Sequence, residues 1–292
     1  MTHLVAGLLW LLHFLPLGAQ AAFGNALGGV LYWLAPSRRR VTLRNLERCF
    51  PEMDAAARAR VARGHFRALV RSFLEHGLLW WAPRERLERL IRVEGLEHAR
   101  ALGGEAAVFL VPHFVTLDVC ATRIAMELDM VGIYAKQRNQ AFARLLEHGR
   151  TRFGSQRAVS RQEGVRALIS AMRREKRSAF YLPDQDPGAQ HAVFVPFFGV
   201  MAATLPGLSR IARLTGAKVL SAVVRMLPGG EGYVMQIGPP WEGFPTDDVV
   251  ADTRRMNAWI EQAVREAPEQ YLWSHRRFKT RPPGEAPFYG GD

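Results

Sequence analysis

The chain has 292 residues, enough for one large domain or two small ones, and 48% hydrophobic with 23% charged residues argues against wholesale disorder. A formal net charge of +12, carried mostly by arginine, points to polyanionic partners: nucleic acid, anionic lipid headgroups or an acidic carrier protein. Two cysteines without paired spacing, scattered histidines and no CxxC, HExxH, Walker-type or GxGxxG pattern argue against a disulfide scaffold, a metal site and a nucleotide cofactor.

Residues 4–35 carry no charged side chain apart from a titratable His13. A spanning helix needs roughly 20 apolar residues. This stretch is longer, but Pro16, Gln20 and Asn25 interrupt it, so a kinked tilted helix and a re-entrant hairpin both fit. Ala19-Gln20-Ala21 resembles a signal-peptide cleavage site. Against export, the N-terminus lacks Lys and Arg while Arg38, Arg39 and Arg40 follow the apolar stretch, which keeps that end cytoplasmic. The expectation is a retained membrane anchor over 1–36.

Residues 41–100 read as helical. Val61, Phe66, Leu69, Val70, Phe73, Leu74 and Leu78 recur near a 3.6-residue period with arginines opposite. That pattern suits a basic helix lying on an anionic membrane or a bundle helix with a solvated basic face. Trp80 and Trp81 suit the headgroup level or the core. From 105 the pattern alternates: "AAVFLVPH" is a strand, "TLDVCATRIAMEL" a helix and "MVGIYA" a strand. Ser160 and Glu163 form a capping-box signature ahead of the helix "VRALISAMRRE". "SAFYLPD" is a strand, a helix spans about 205–215, "KVLSAVVRM" and "YVMQIGPP" are strands, and Met256, Trp259, Ile260 and Val264 share one face of a last helix. The predicted class is α/β, with a mixed, mostly parallel central sheet flanked by helices and an N-terminal hydrophobic membrane-anchor helix. One domain is expected over 37–292: helical over 37–100, an α/β core over 101–245, and a C-terminal helix and basic tail over 246–292.

In open α/β sheets ligands sit beyond the carboxyl ends of the strands. His113 ends one strand, Asp118 lies in the first turn of the next helix, and Asp184 and Asp186 of "LPDQDPG" end another strand. Singly each has an ordinary explanation: a helix-dipole aspartate, two turn formers, a loop histidine. Together they suggest chemistry. A neutral imidazole accepts a proton near neutral pH, and a carboxylate on its other nitrogen fixes the tautomer. No G-x-S-x-G elbow accompanies the pair, and Cys120 reads as a small buried hydrophobe. The expected chemistry is deprotonation of a substrate hydroxyl that attacks an acyl donor directly.

His-x4-Asp after an apolar strand resembles the lysophospholipid acyltransferase superfamily. "RRRVTLRNLERCFPEM", "HFVTLD", "PDQDPG…VFVPFFG" and "APEQYLWSHRRFKTRP" narrow the resemblance to the bacterial lipid A biosynthesis lauroyl/myristoyl acyltransferases. That resemblance implies an inner-membrane enzyme facing the cytoplasm, which transfers a fatty acyl chain from acyl carrier protein to a hydroxyl of a lipid A precursor without metal or cofactor. It makes His113 the general base and Asp118, where many members carry Glu, its orienting partner. It adds Arg150 of the Gly149-Arg150 step, the Asp184 and Asp186 pair, and Tyr134 and Asn139, which remain from a Tyr-Arg-Pro…Asn-Pro block. Arg276, Arg277, Lys279 and Arg281 would meet a phosphorylated glycolipid or an acidic carrier, or form a solvated tail. Three alternatives stay open: an acyltransferase for another lysolipid or glycolipid, a thioesterase, and a non-catalytic membrane-anchored protein that binds anionic lipid. Dispersed basic residues and the lack of a recognition motif argue against nucleic acid.

Overall fold

Pro16 splits the N-terminal apolar segment into α1 (Thr2–Leu12) and α2 (Leu17–Leu34). Proline has no N–H to donate and crowds the preceding turn, so it kinks or breaks a helix, and here the helix is broken. The computed structural model describes residues 2–134, 140–160 and 163–290. Among these described residues no helix is long and apolar enough to cross a membrane. The single anchor helix expected over 1–36 is therefore a broken pair, the longer member being 18 residues or roughly 27 Å.

α3 (Pro36–Cys49) opens with proline in its first turn, and α4 (Ala55–Trp81) is capped by Asp54, whose side chain accepts from the Ala57 N–H at 2.6 Å. α4 is a bundle helix. A Cβ on Gly28 of α2 would lie 2.5 Å from the Arg67 Cα, and one on Gly77 would lie 2.2 Å from the Leu9 carbonyl oxygen, so only glycine lets these helices meet. Covered by α1, α2 and α3, α4 buries Phe66, Leu74, Leu78 and Trp80, and also the polar His65, Arg71 and Glu75. Trp80 thus belongs to the core, and Phe73 is the exposed member of the expected apolar stripe.

α5 (Arg84–Leu90) runs into β1 (Ile91–Glu94), which corrects the all-helical reading of 41–100. Four residues are too few to reveal strand alternation. The chain continues through α6 (Leu96–Arg100), β2 (Ala107–Leu110), α7 (Leu117–Ala125), β3 (Met130–Tyr134), α8 (Gln140–Arg150) and β4 (Gln156–Ser160). Then come α9 (Gly164–Glu175), β5 (Ser178–Tyr181), β6 (Val193–Phe197), β7 (Val200–Thr204), α10 (Gly207–Thr215), β8 (Lys218–Met226), β9 (Tyr233–Ile237) and α11 (Val249–Glu266). Ser160 and Glu163 exchange bonds ahead of α9: the Ser160 N–H donates to Oε2 at 2.8 Å and the Glu163 N–H to Oγ at 3.3 Å.

The main sheet has the order β1-β9-β8-β2-β5-β3-β4, with every pairing parallel except the antiparallel β8–β9. This is the mixed, mostly parallel sheet expected. Only antiparallel neighbours can be joined by a short turn, and Gly229, Gly230 and Gly232 at positive φ supply one between β8 and β9. β6 and β7 form a separate hairpin. Along central β2 the faces alternate: Val108 and Leu110 join one apolar cluster with Leu168, Ile211 and Val264, while Ala107 and Phe109 join the other with Leu9, Leu78 and Cys120.

Candidate active site

The segment after β2 is held from several sides. The Val111 N–H donates to the Tyr181 carbonyl at 3.0 Å, which extends the β2–β5 ladder. Ser72 of α4 donates its hydroxyl to the Val115 carbonyl, and Thr116 donates to the Val224 carbonyl on β8. The C-terminal segment closes over it: Val115 donates to Gln270 at 2.9 Å, and Leu272 donates to the His113 carbonyl at 3.0 Å. His113 therefore stands on a fixed strand end.

Because β2 and β5 are neighbours, their carboxyl ends bring His113 and Asp184 together. The backbone N–H of His113 donates to Oδ2 of Asp184 at 2.8 Å, and its ring Nδ1 lies 2.7 Å from Oδ1. A carboxylate only accepts, so Nδ1 carries a proton, and in the neutral ring Nε2 keeps its lone pair. The Asp184 side chain is fully buried while the ring of His113 remains 15% exposed. Burial pushes the Asp184 pKa up, but the charge and hydrogen bonds of His113, with Arg277 beyond, outweigh it and hold the pKa below the ordinary value.

The sequence reading made Asp118 the ring's orienting partner, whereas the structure gives the Nδ1 bond to Asp184. The first turn of α7 turns Asp118 elsewhere. Its Oδ2 lies 3.0 Å from Nε2 of His76 on α4, and its Oδ1 accepts from Nη2 and Nε of Arg150 at 3.0 and 3.3 Å. Burial raises the Asp118 pKa, yet bonds and charges from His76 and Arg150 prevail and hold it well below the usual carboxylate range. Gly149 makes this possible: a Cβ there would lie 1.9 Å from Cδ1 of Trp80, so the glycine lets α8 lie against α4. Arg152 pins the same junction, donating to the Leu79 and Ala82 carbonyls at 2.7 and 2.8 Å.

The other expected site residues divide. Asp186 works as a turn holder, accepting from the Gly188 N–H at 2.8 Å and from the N–H and hydroxyl of Thr280 at 2.6 and 2.8 Å. Arg277 is buried and donates to the Ala203 carbonyl and the Thr204 hydroxyl, which corrects its expected role in meeting a carrier or lipid. Arg276 is partly exposed, with its guanidinium 5.7 Å from the Tyr289 ring centroid. Asn139 and the side chain of Tyr134 lie outside the described residues. Sequence reasoning missed His76, which lies 42 residues before Asp118 inside a helix and carries no local signal. It also missed His275, whose Nε2 accepts from the Asp186 N–H at 3.1 Å. Burial and the nearby His113 charge push the His275 pKa down. Among the described residues no cluster of His, Cys, Asp and Glu is arranged to hold a metal ion.

The site thus sets a histidine against a buried carboxylate at the carboxyl end of a mostly parallel α/β sheet, and burial holds Cys49 and Cys120 as thiols. The bacterial lipid A biosynthesis acyltransferase family model matches residues 1–280, and the chain belongs to that family of acyltransferases. It is 34% identical over 97% of its length to the lipid A biosynthesis lauroyltransferase of Escherichia coli, covering 93% of that protein. It is 34% identical to the palmitoleoyltransferase of the same organism, over 97% of this chain and 92% of that one. With the Escherichia coli myristoyltransferase it shares 32% identity, over 86% of this chain and 78% of that protein.

Proposed function

We propose that this acyltransferase moves a fatty acyl chain from acyl carrier protein to a hydroxyl of a lipid A precursor by general-base catalysis. The observation that carries the mechanism is the hydrogen bond from Nδ1 of His113 to Asp184. It leaves Nε2 free to take the proton of the acceptor hydroxyl as its oxygen attacks the thioester carbon. Asp184 stabilises the imidazolium that forms. The carbon–sulfur bond then breaks, and the imidazolium returns its proton to the departing thiolate. Asp118 serves as a fixed anion that steadies Arg150 beside this turn.

The setting we propose is the inner membrane, with the site on its cytoplasmic face. Supporting this are the exposed Leu4, Leu8, Leu11 and Phe14 around α1 and Phe23, Leu27, Val30, Trp33 and Leu34 on α2. Arg38, Arg39 and Arg40 follow directly, and Arg39 packs 5.1 Å from the Trp33 ring centroid. Such a pairing suits the boundary between acyl chains and anionic headgroups.

Purified protein incubated with acyl carrier protein thioester and a lipid A precursor lacking one acyl chain tests the reading by mass spectrometry of the lipid. The expected result is a precursor heavier by one acyl group. Release of free fatty acid alone, unchanged by the acceptor, would overturn it in favour of a thioesterase.

A further inference from the structure

His76 sits on α4, with Nδ1 2.6 Å from the Ser72 carbonyl oxygen and Nε2 3.0 Å from Oδ2 of Asp118. A carbonyl and a carboxylate both only accept, so each ring nitrogen needs a proton and the ring is an imidazolium. A protonated Asp118 would relax that demand, but Arg150 already donates to Oδ1. Trp80 fixes the ring from the side in an edge-on contact, centroids 5.5 Å apart. We propose that His76 is a charged positioning residue, which with Arg150 clamps Asp118 and so fixes the guanidinium beside the catalytic turn.

The charged groups facing the ring are Asp118 from α7, Arg150 from α8 and Glu75 from α4 itself. Glu75 is turned away, bonded to Arg71 at 3.0 Å and to the Tyr233 hydroxyl. Burial lowers the His76 pKa, but Asp118 more than offsets it, and the value lies above the ordinary 6.5. A neutral ring would lose one donor and release one side of the clamp. The effect on turnover rests on the function proposed above; the charge state of the ring does not.

Two measurements test this. NMR of the full chain labelled in its imidazoles, with His76 assigned by His76→Gln, follows the ring directly. The midpoint should exceed the ordinary ~6.5 and should fall by about a unit or more in Asp118→Asn. A midpoint at or below the ordinary value, or one indifferent to Asp118→Asn, overturns the proposal whether or not the chain acylates lipid A. The second is the pH profile of kcat. His76→Gln retains a donor but no charge, so it should lower kcat by about 10-fold with KM little changed and abolish the alkaline fall expected of the wild type. An alkaline fall that persists unaltered in His76→Gln rejects the positioning role.

Discussion

The 2.7 Å contact between Nδ1 of His113 and Asp184 makes Asp184 the carboxylate that would assist the proposed base. His113→Ala should reduce kcat by roughly 10²–10⁴-fold, the usual scale of general acid–base catalysis. Asp184→Asn should be about as damaging, because an amide can present its NH₂ to Nδ1 and select the wrong tautomer. The double variant should be little worse than His113→Ala alone, as for residues that act as a unit, whereas fully multiplicative losses would separate the two roles. Cys120→Ala should keep its activity, since burial pushes that thiol far up and the proposed mechanism forms no acyl-enzyme. The same residues shape stability against pH. Asp118 and Asp184 have pKa values below their ordinary 3.8, so their stabilisation is full above that value and is lost as pH falls through the folded pKa values. His76 lies above its ordinary 6.5, so its stabilisation is full below that value and is lost as pH rises through its folded pKa. Thermal unfolding across pH should therefore show Tm falling at both extremes, with the alkaline fall diminished in Asp118→Asn. His113, Asp118 and Asp184 were visible in the sequence, but the pairing of His113 with Asp184 was not. It follows from the adjacency of β2 and β5, which local pattern does not encode.

Helix contacts set the geometry in which those residues work. Gly149→Ala would drive a methyl group into the Trp80 indole, 1.9 Å from Cδ1, and force α8 away from α4. Overpacking of this kind costs typically about 1–3 kcal/mol. Activity should fall by at least ~10-fold, because Arg150 is the next residue and its placement depends on that contact. A smaller aromatic at 80 should partly restore the double variant, and a Gly149→Ala protein with wild-type turnover would show that the close approach does not matter. The elements most legible in the sequence were those with a strong period or a boundary signal: β2, α7, β3, β5, α10, β8, β9, α11, and α9 behind its Ser160–Glu163 capping box. Other features were hidden for physical reasons. β1 has four residues, and α4 is covered on so many sides that its burial includes Arg71 and Glu75, which a two-faced pattern assigns to solvent. Glycines 28 and 77 mark where neighbouring backbones meet, which helical periodicity does not signal.

At the scale of the molecule, the positive charge and the apolar N-terminal face are the surfaces that the proposed partners would meet. Arg277 is buried, so reversing its charge would test folding rather than docking. Arg276→Glu with Lys279→Glu, partly exposed and exposed, should instead raise the KM for acyl carrier protein and weaken its salt dependence. An unchanged KM at low salt would place the carrier elsewhere on the surface. The last prediction concerns the membrane. Exposed Phe23, Leu27, Val30 and Leu34 follow one stripe of α2, and Leu4, Leu8 and Leu11 follow one stripe of α1, while α4 covers their inner sides. Helices of 11 and 18 residues with one side packed on protein suit a position along the leaflet rather than across it. Reporters fused before Met1 and after Asp292 should therefore both behave as cytoplasmic, whereas a spanning anchor would separate them. Wild-type protein should bind vesicles rich in anionic lipid and need detergent for release. Serine at Leu8, Leu11 and Phe14 together should weaken vesicle binding by at least about 10-fold, since each side chain is worth about 1.5–3 kcal/mol when fully transferred to an apolar medium. Solubility measured without lipid should rise in the same variant, and the circular dichroism of the core should not change. A variant that still pellets fully with membranes would show that the apolar stripe is not the contact.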